Sequence, residues 1–91
     1  VSTFAVEDEF HCDMIAGPFA TYEEALQAIE ALAVSPFDQA PNRPPCIGWK
    51  NCHRDYCIVE SDSSQHEVAR TYVLSLFAEK QVWHQRDRHP D

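Results

Sequence analysis

Glycine is almost missing from this chain. Gly17 and Gly48 are its only two glycines, so no glycine-rich loop is available to cradle a phosphate, which excludes P-loop and Rossmann nucleotide binding. Neither G-x-S-x-G nor H-E-x-x-H occurs, which removes two hydrolase signatures. No apolar run approaches the roughly 18 residues of a membrane span. Basic residues are missing from the whole first half: nothing positive precedes Arg43, whereas Glu7, Asp8, Glu9, Asp13, Glu23, Glu24, Glu30 and Asp38 all do. The net charge of −8 therefore sits there, because seven basic residues balance seven acidic ones from Arg43 onward. Such a field repels phosphate backbones, so nucleic-acid binding is not expected. It favours a basic partner or serves solubility. Glu7, Asp8 and Glu9 also interrupt the basic-then-apolar order of a secretory signal; the expectation is a cytoplasmic protein without a membrane partner.

What is present suits one globular unit. Hydrophobic residues make up 44% and aromatics 11% of 91 residues, too short a chain for two independent cores. Residues 1–85 are expected to form a single domain, and 86–91 a frayed polar tail that carries His89. Its thin core invites a second subunit, a disulfide or a metal, and a two-fold homodimer is the commonest remedy. The acidic half should avoid its own copy, which directs the contact to the strand near Tyr56–Val59 or to the helix expected to carry Tyr72 and Leu76.

Alternation around Phe4 and Val6 predicts a strand over Ser2–Glu7, and Phe10–Ala16 also reads as extended; Asp8-Glu9 is either a tight turn between them or a bend within one long strand. Gly17-Pro18 then breaks the strand. Thr21 and Glu24 have the spacing of a capping box, and Ala25, Leu26, Ile29, Leu32 and Ala33 follow at helical period, which predicts a helix over Tyr22–Val34 ended by Pro36. The stretch from Ser35 to Pro45 holds Pro36, Pro41, Pro44 and Pro45 and reads as a loop. A short extended piece around Ile47–Trp49 and a strand over Asp55–Glu60 come next. Ser64 and Glu67 repeat the capping-box spacing, and Val68, Ala69, Tyr72, Val73, Leu76 and Phe77 trace a second helical stripe. Strand competes there, since Thr71, Tyr72 and Val73 favour it, but cap and stripe together predict a helix. Val82 and Trp83 suggest a last short strand. An offset of 44 residues aligns Ile15 with Val59, Glu23 with Glu67, Ala25 with Ala69, Ile29 with Val73 and Leu32 with Leu76. The expected fold is therefore α+β: a mainly antiparallel sheet with two helices on one face, in a ferredoxin-like βαββαβ order.

Gly17-Pro18-Phe19-Ala20-Thr21 with Glu23-Glu24-Ala25 and Leu32 resembles the first half of SPOR-type domains, βαββαβ modules that bind the glycan strands of peptidoglycan. The second half departs from that pattern, having Ser61-Asp62-Ser63 where another G-P-F would stand. The chain equally resembles small uncharacterised bacterial proteins. The resemblance implies glycan binding.

The residues richest in chemistry run from Cys46 to Cys57. They include Trp49, Lys50, Cys52, His53, Arg54 and Tyr56. Five residues separate Cys46 from Cys52 and four separate Cys52 from Cys57, loose spacing for a zinc knuckle, and Cys12 would have to complete a metal set with them. Four cysteines also allow disulfides in three pairings. In a reducing compartment the expectation is four free thiols and no cofactor, with Cys12 and Cys57 as small core residues on strands and a melting temperature that chelators do not move. Lys50, His53 and Arg54 would favour a thiolate, but His53 follows Cys52 directly and is a poor base for it. His84 and His89, near Arg86 and Arg88, are expected to belong to a mobile tail. Without a catalytic constellation, the chain reads as a non-enzymatic binding or protein-interaction module. Its contact surface is Trp49, Lys50, His53, Arg54 and Tyr56. The alternative is a small cysteine- and histidine-dependent catalyst or metal-binding protein using Cys46, Cys52, His53 and Cys57.

Overall fold

Phe4 and Val6 alternate with Thr3, Ala5 and Glu7 to form strand β1 (Thr3–Asp8), whose inward side chains are buried. The structure, a computed structural model, describes residues 1–85; the tail expected at 86–91, with His89, lies outside the described residues. The turn after β1 falls at 9–12, later than Asp8-Glu9, because Asp8 stays in the ladder opposite Asp13. Strand β2 (Asp13–Phe19) runs through Gly17-Pro18 rather than stopping there. Gly17 sits at φ 108°, and a Cβ on it would lie 3.1 Å from both the Ala5 Cα and the Phe4 carbonyl oxygen. Only glycine lets the two backbones come this close.

Helix α1 (Tyr22–Ala33) starts where the capping box places it. The Thr21 hydroxyl accepts from the Glu24 amide at 3.1 Å, and the Glu24 carboxylate accepts from the Ala20 amide at 3.0 Å. One orphan donor of the first turn is thereby satisfied. Its stripe buries Tyr22, Ala25, Leu26, Ile29 and Ala33 against Phe4, Val6, Tyr56, Ile58, Leu74 and Leu76 of the sheet. Burying aliphatic and aromatic side chains of this kind is worth about 1.5–3 kcal/mol each, which is what attaches the helix.

The sheet has five strands in the order β2-β1-β3-β4-β5, every pair antiparallel, with β3 (His53–Ser61), β4 (Glu67–Phe77) and β5 (Gln81–Trp83) completing it. The expected extended piece at Ile47–Trp49 is instead a 3-10 turn over Trp49–Asn51.

The two-helix βαββαβ arrangement is not the fold of this chain: α1 is its one α-helix among the described residues, and Glu67–Phe77 is the longest strand. Two local features imitated a helix. Ser64 belongs to a tight turn in which the Asp62 carboxylate accepts from the Ser64 and His66 amides, both at 2.9 Å, and Gln65 adopts φ 70°. Further along, Tyr56 faces Leu74 while the next residue, Cys57, faces Tyr72, so Val73 is an extra residue in β4. A bulge shifts the phase of in–out alternation. Apolar residues on either side of it then fall three and four apart, as on a helix. The match of α1 to this segment at an offset of 44 residues carries no structural repeat.

Candidate metal centre

His11, Cys46 and Cys52 come from three separate parts of the chain, yet their ligand atoms all lie within 4.8 Å of one another. His11 stands in the turn between β1 and β2, Cys46 in the proline-rich loop, and Cys52 directly after the 3-10 turn, its amide donating to the Trp49 carbonyl at 3.1 Å. The His11 Nε2 is 3.2 Å from the Cys52 Sγ. Donors sharing one tetrahedral zinc lie about 3.5–3.8 Å apart, given bonds near 2.3 Å to sulfur and 2.0–2.1 Å to nitrogen. The cluster therefore needs adjustments of only a fraction of an ångström to about one ångström.

Behind His11 stands Asp8, fully buried. Its Oδ2 lies 2.6 Å from the His11 Nδ1. A carboxylate can only accept, so Nδ1 carries a proton toward Asp8, and Nε2, which faces the Cys52 sulfur, is the nitrogen left to ligate a metal once its own proton is lost. A carboxylate held against the far nitrogen of a ligating histidine is the usual support of such a ligand. Asp8 is fixed in turn by the Phe10 amide at 3.0 Å, the Asp55 amide at 2.8 Å and the Arg54 guanidinium at 2.9 Å. Burial pushes its carboxyl up, but the bonds from Arg54, the Asp55 amide and His11 outweigh burial and hold it below the ordinary value. His11 is likewise opposed by burial and still raised by Asp8 and Cys52. Burial also resists ionisation of Cys52, yet hydrogen bonds from the Cys46 thiol, the His53 amide and His11 lower its thiol, while Cys46 is raised as the donor to Cys52.

Arg54 brings the two halves of the site together. Its side chain is 6% exposed. Besides Asp8 it binds Asp13 at 2.8 Å and the carbonyls of Pro41, Asn42 and Arg43 at 2.9, 3.3 and 3.0 Å. Those carbonyls belong to the loop that carries Cys46. Asn42, also buried, ties the same loop to the end of α1 through the Leu32 carbonyl at 2.9 Å, and accepts from the Tyr56 hydroxyl at 2.7 Å. The loop is thus anchored by side chains from the sheet as well as stiffened by proline.

This placement divides the residues that the sequence grouped together. Arg54 and Tyr56 are buried parts of the scaffold and offer nothing to a partner. Trp49 is half-buried, packed 6.1 Å from Phe37 with Arg43 over its ring at 4.5 Å and Lys50 at 5.8 Å. His53 points to the sheet face away from α1, stacked between Phe10 and Phe77 at 4.4 and 4.8 Å and 3.2 Å from Asp55. On that face Asp55 also accepts from Ser75, whose oxygen is 2.9 Å from the His84 Nε2; His84, expected in a mobile tail, is instead held to β4, its amide donating to the Val73 carbonyl at 2.7 Å. Cys46 and Cys52 meet, but Cys12 and Cys57 do not join them. Cys12 is exposed in the turn at φ 58° rather than in the core. Cys57 is buried in β3 beside Arg70, and burial pushes its thiol up to about 11. Sequence reasoning missed His11 and Asp8. The only available signal was a histidine three residues after an aspartate, ahead of Cys12.

No family model, curated protein or solved structure matches the chain.

Proposed function

We propose that this chain is a small metal-binding protein that holds a zinc-class ion through His11 Nε2 and the Cys46 and Cys52 sulfurs. The observation that carries the reading is the convergence of those three donors on a histidine whose other nitrogen is held by a buried carboxylate. Imidazole with two thiolates suits zinc better than magnesium or calcium, which take oxygen. Three protein ligands leave the fourth tetrahedral position to water or to another ligand, as in catalytic zinc sites. A cytoplasmic, reducing setting belongs to the same proposal, because it keeps both sulfurs available.

The test is cobalt substitution of the reduced full-length chain. One equivalent should give thiolate-to-cobalt charge-transfer absorption and the intense visible bands of a four-coordinate ion. His11→Ala and Cys52→Ser should each abolish that spectrum, and Cys12→Ser should not. A chain that binds no cobalt or zinc while folded refutes the proposal.

A second reading, an interaction module that forms a homodimer, has its own support in the sheet face opposite α1. Phe10, Tyr72 and Val82 lie exposed there. The dimer contact cannot be an edge of β3, which already has β1 and β4 on its two sides, nor Leu76, which is buried. Light scattering that finds only monomer at high concentration removes this reading. Glycan binding rests on the segment from Gly17 to Leu32 alone, and co-sedimentation with peptidoglycan tests it.

A further inference from the structure

Two of the three donors are thiols six positions apart in sequence, and the segment between them has room to move. Ile47 is fully exposed, and a Cβ on Gly48 would meet nothing within 4 Å. Both cysteines are only half-buried, which leaves the pair open to small solutes. Their separation is at most 4.8 Å, against about 2.05 Å for a disulfide. Closing that gap needs a shift of less than about 3 Å, within a loop whose firm anchors at Pro41, Asn42 and Arg43 lie before Cys46. The other two thiols lie outside this cluster. Cys57 is enclosed in the sheet with the Arg70 guanidinium at 3.2 Å, and the Cys12 sulfur faces the Glu9 carbonyl at 4.0 Å.

We infer that Cys46 and Cys52 are a peroxide-responsive pair whose closure into a disulfide disassembles the metal centre; this rests on the metal-binding reading above. One sulfur attacks a peroxide oxygen, the O–O bond breaks, and the departing oxygen leaves as water after taking a proton, so that sulfur becomes a sulfenic acid. The second thiolate attacks it, forms the S–S bond and expels hydroxide, which a second proton converts to water. Two electrons pass from the two thiolates to the peroxide. A disulfide sulfur is no longer an anionic ligand, so His11 alone remains and the ion is released. A thiol reductant restores both sulfurs and with them the site.

The experiment loads the reduced full-length chain with one equivalent of zinc in the presence of a chromogenic zinc indicator and adds stoichiometric hydrogen peroxide. The expected result is release of one zinc per chain, a peptide map linking Cys46 to Cys52, and recovery of binding after reduction. The Cys12→Ser/Cys57→Ser double variant should release zinc at the same rate. Cys46→Ser should show no intramolecular link. Zinc retained after peroxide, release accompanied by a different linkage, or release with sulfinic acid at either residue overturns the inference. A reduced chain that never binds zinc overturns the metal reading instead. The peptide map of the peroxide-treated chain then scores the pair by itself: a Cys46–Cys52 link upholds peroxide response, and its absence overturns it.

Discussion

Replacing Arg54 with Met should be among the most damaging single changes available to this fold. The guanidinium makes five hydrogen bonds, to Asp8, Asp13 and the carbonyls of Pro41, Asn42 and Arg43. Methionine fills similar volume without a donor. Asp8 would then remain fully buried with its positive partner gone, and removing one member of a buried pair costs about 3–5 kcal/mol. That is a large part of the roughly 5–15 kcal/mol expected for a whole domain, and corresponds to a drop in melting temperature on the order of 20 °C at this size. Lysine keeps the charge but cannot fork to five acceptors, so Arg54→Lys should fall between Met and the parent. Urea unfolding of the three proteins, followed by circular dichroism, gives the comparison. Adding Asp8→Asn to Arg54→Met should cost less than the sum of the single changes, since the stranded charge has been removed. An Arg54→Met protein within 1 kcal/mol of its parent would refute the claim that this residue unites loop and sheet.

Thr21→Ala should cost about 1 kcal/mol through loss of the cap on the Glu24 amide, measured by the urea midpoint at constant slope. Asp8→Asn should weaken zinc binding about 10–100-fold, in line with other carboxylates that support a ligating histidine, and competition against a chelator of known affinity would read it. With zinc in hundredfold excess over its dissociation constant, stripping it by chelation should cost about 2.7 kcal/mol, and an unchanged melting temperature would return the cysteines to the role of bystanders. Cys57, with its thiol raised to about 11 by burial, should react with iodoacetamide at pH 8 on the order of a hundredfold more slowly than Cys12, as mass spectrometry of quenched samples would show. Tyr72→Asp should leave the fold intact with less than about 1 kcal/mol lost, because the residue is 50% exposed and its hydroxyl donates to the exposed Glu9 carboxylate; unfolding would contradict the face assigned to it.

The first helix was legible because its signals are local and agree: Thr21, Glu24 and the stripe from Ala25 to Ala33 all specify the same element. β4 was not, because its bulge at Val73 depends on pairing with β3 and leaves an apolar pattern that a single strand cannot explain. Cys46 and Cys52 could be picked out as chemistry-bearing residues, but their partner could not. Cys52 meets a histidine 41 residues away in sequence, a contact created by the β1–β3 pairing and carrying no spacing signature. Arg54 was visible as a charge in an acidic protein and read as surface. Its burial follows from Asp8, Asp13 and three loop carbonyls converging on it, which no one-dimensional pattern records.

The pairing of β1 with β3 also sets the order in which the site can come into being. β3 and β4 are joined by a tight turn and can zip up early, whereas β1 must find β3 across the helix and the whole proline-rich loop, a slow kind of search. A half-folded chain with only the later hairpin in place owns both sulfurs but lacks His11, which arrives with β1. Such a chain would hold an ion by two ligands and lose it readily. Under the proposed function the finished protein would hold it by three, with Asp8 and Arg54 locked behind the third. Occupancy of the proposed centre would thereby report whether the first strand has arrived, and any partner sensitive to the bound ion would distinguish completed molecules from unfinished ones.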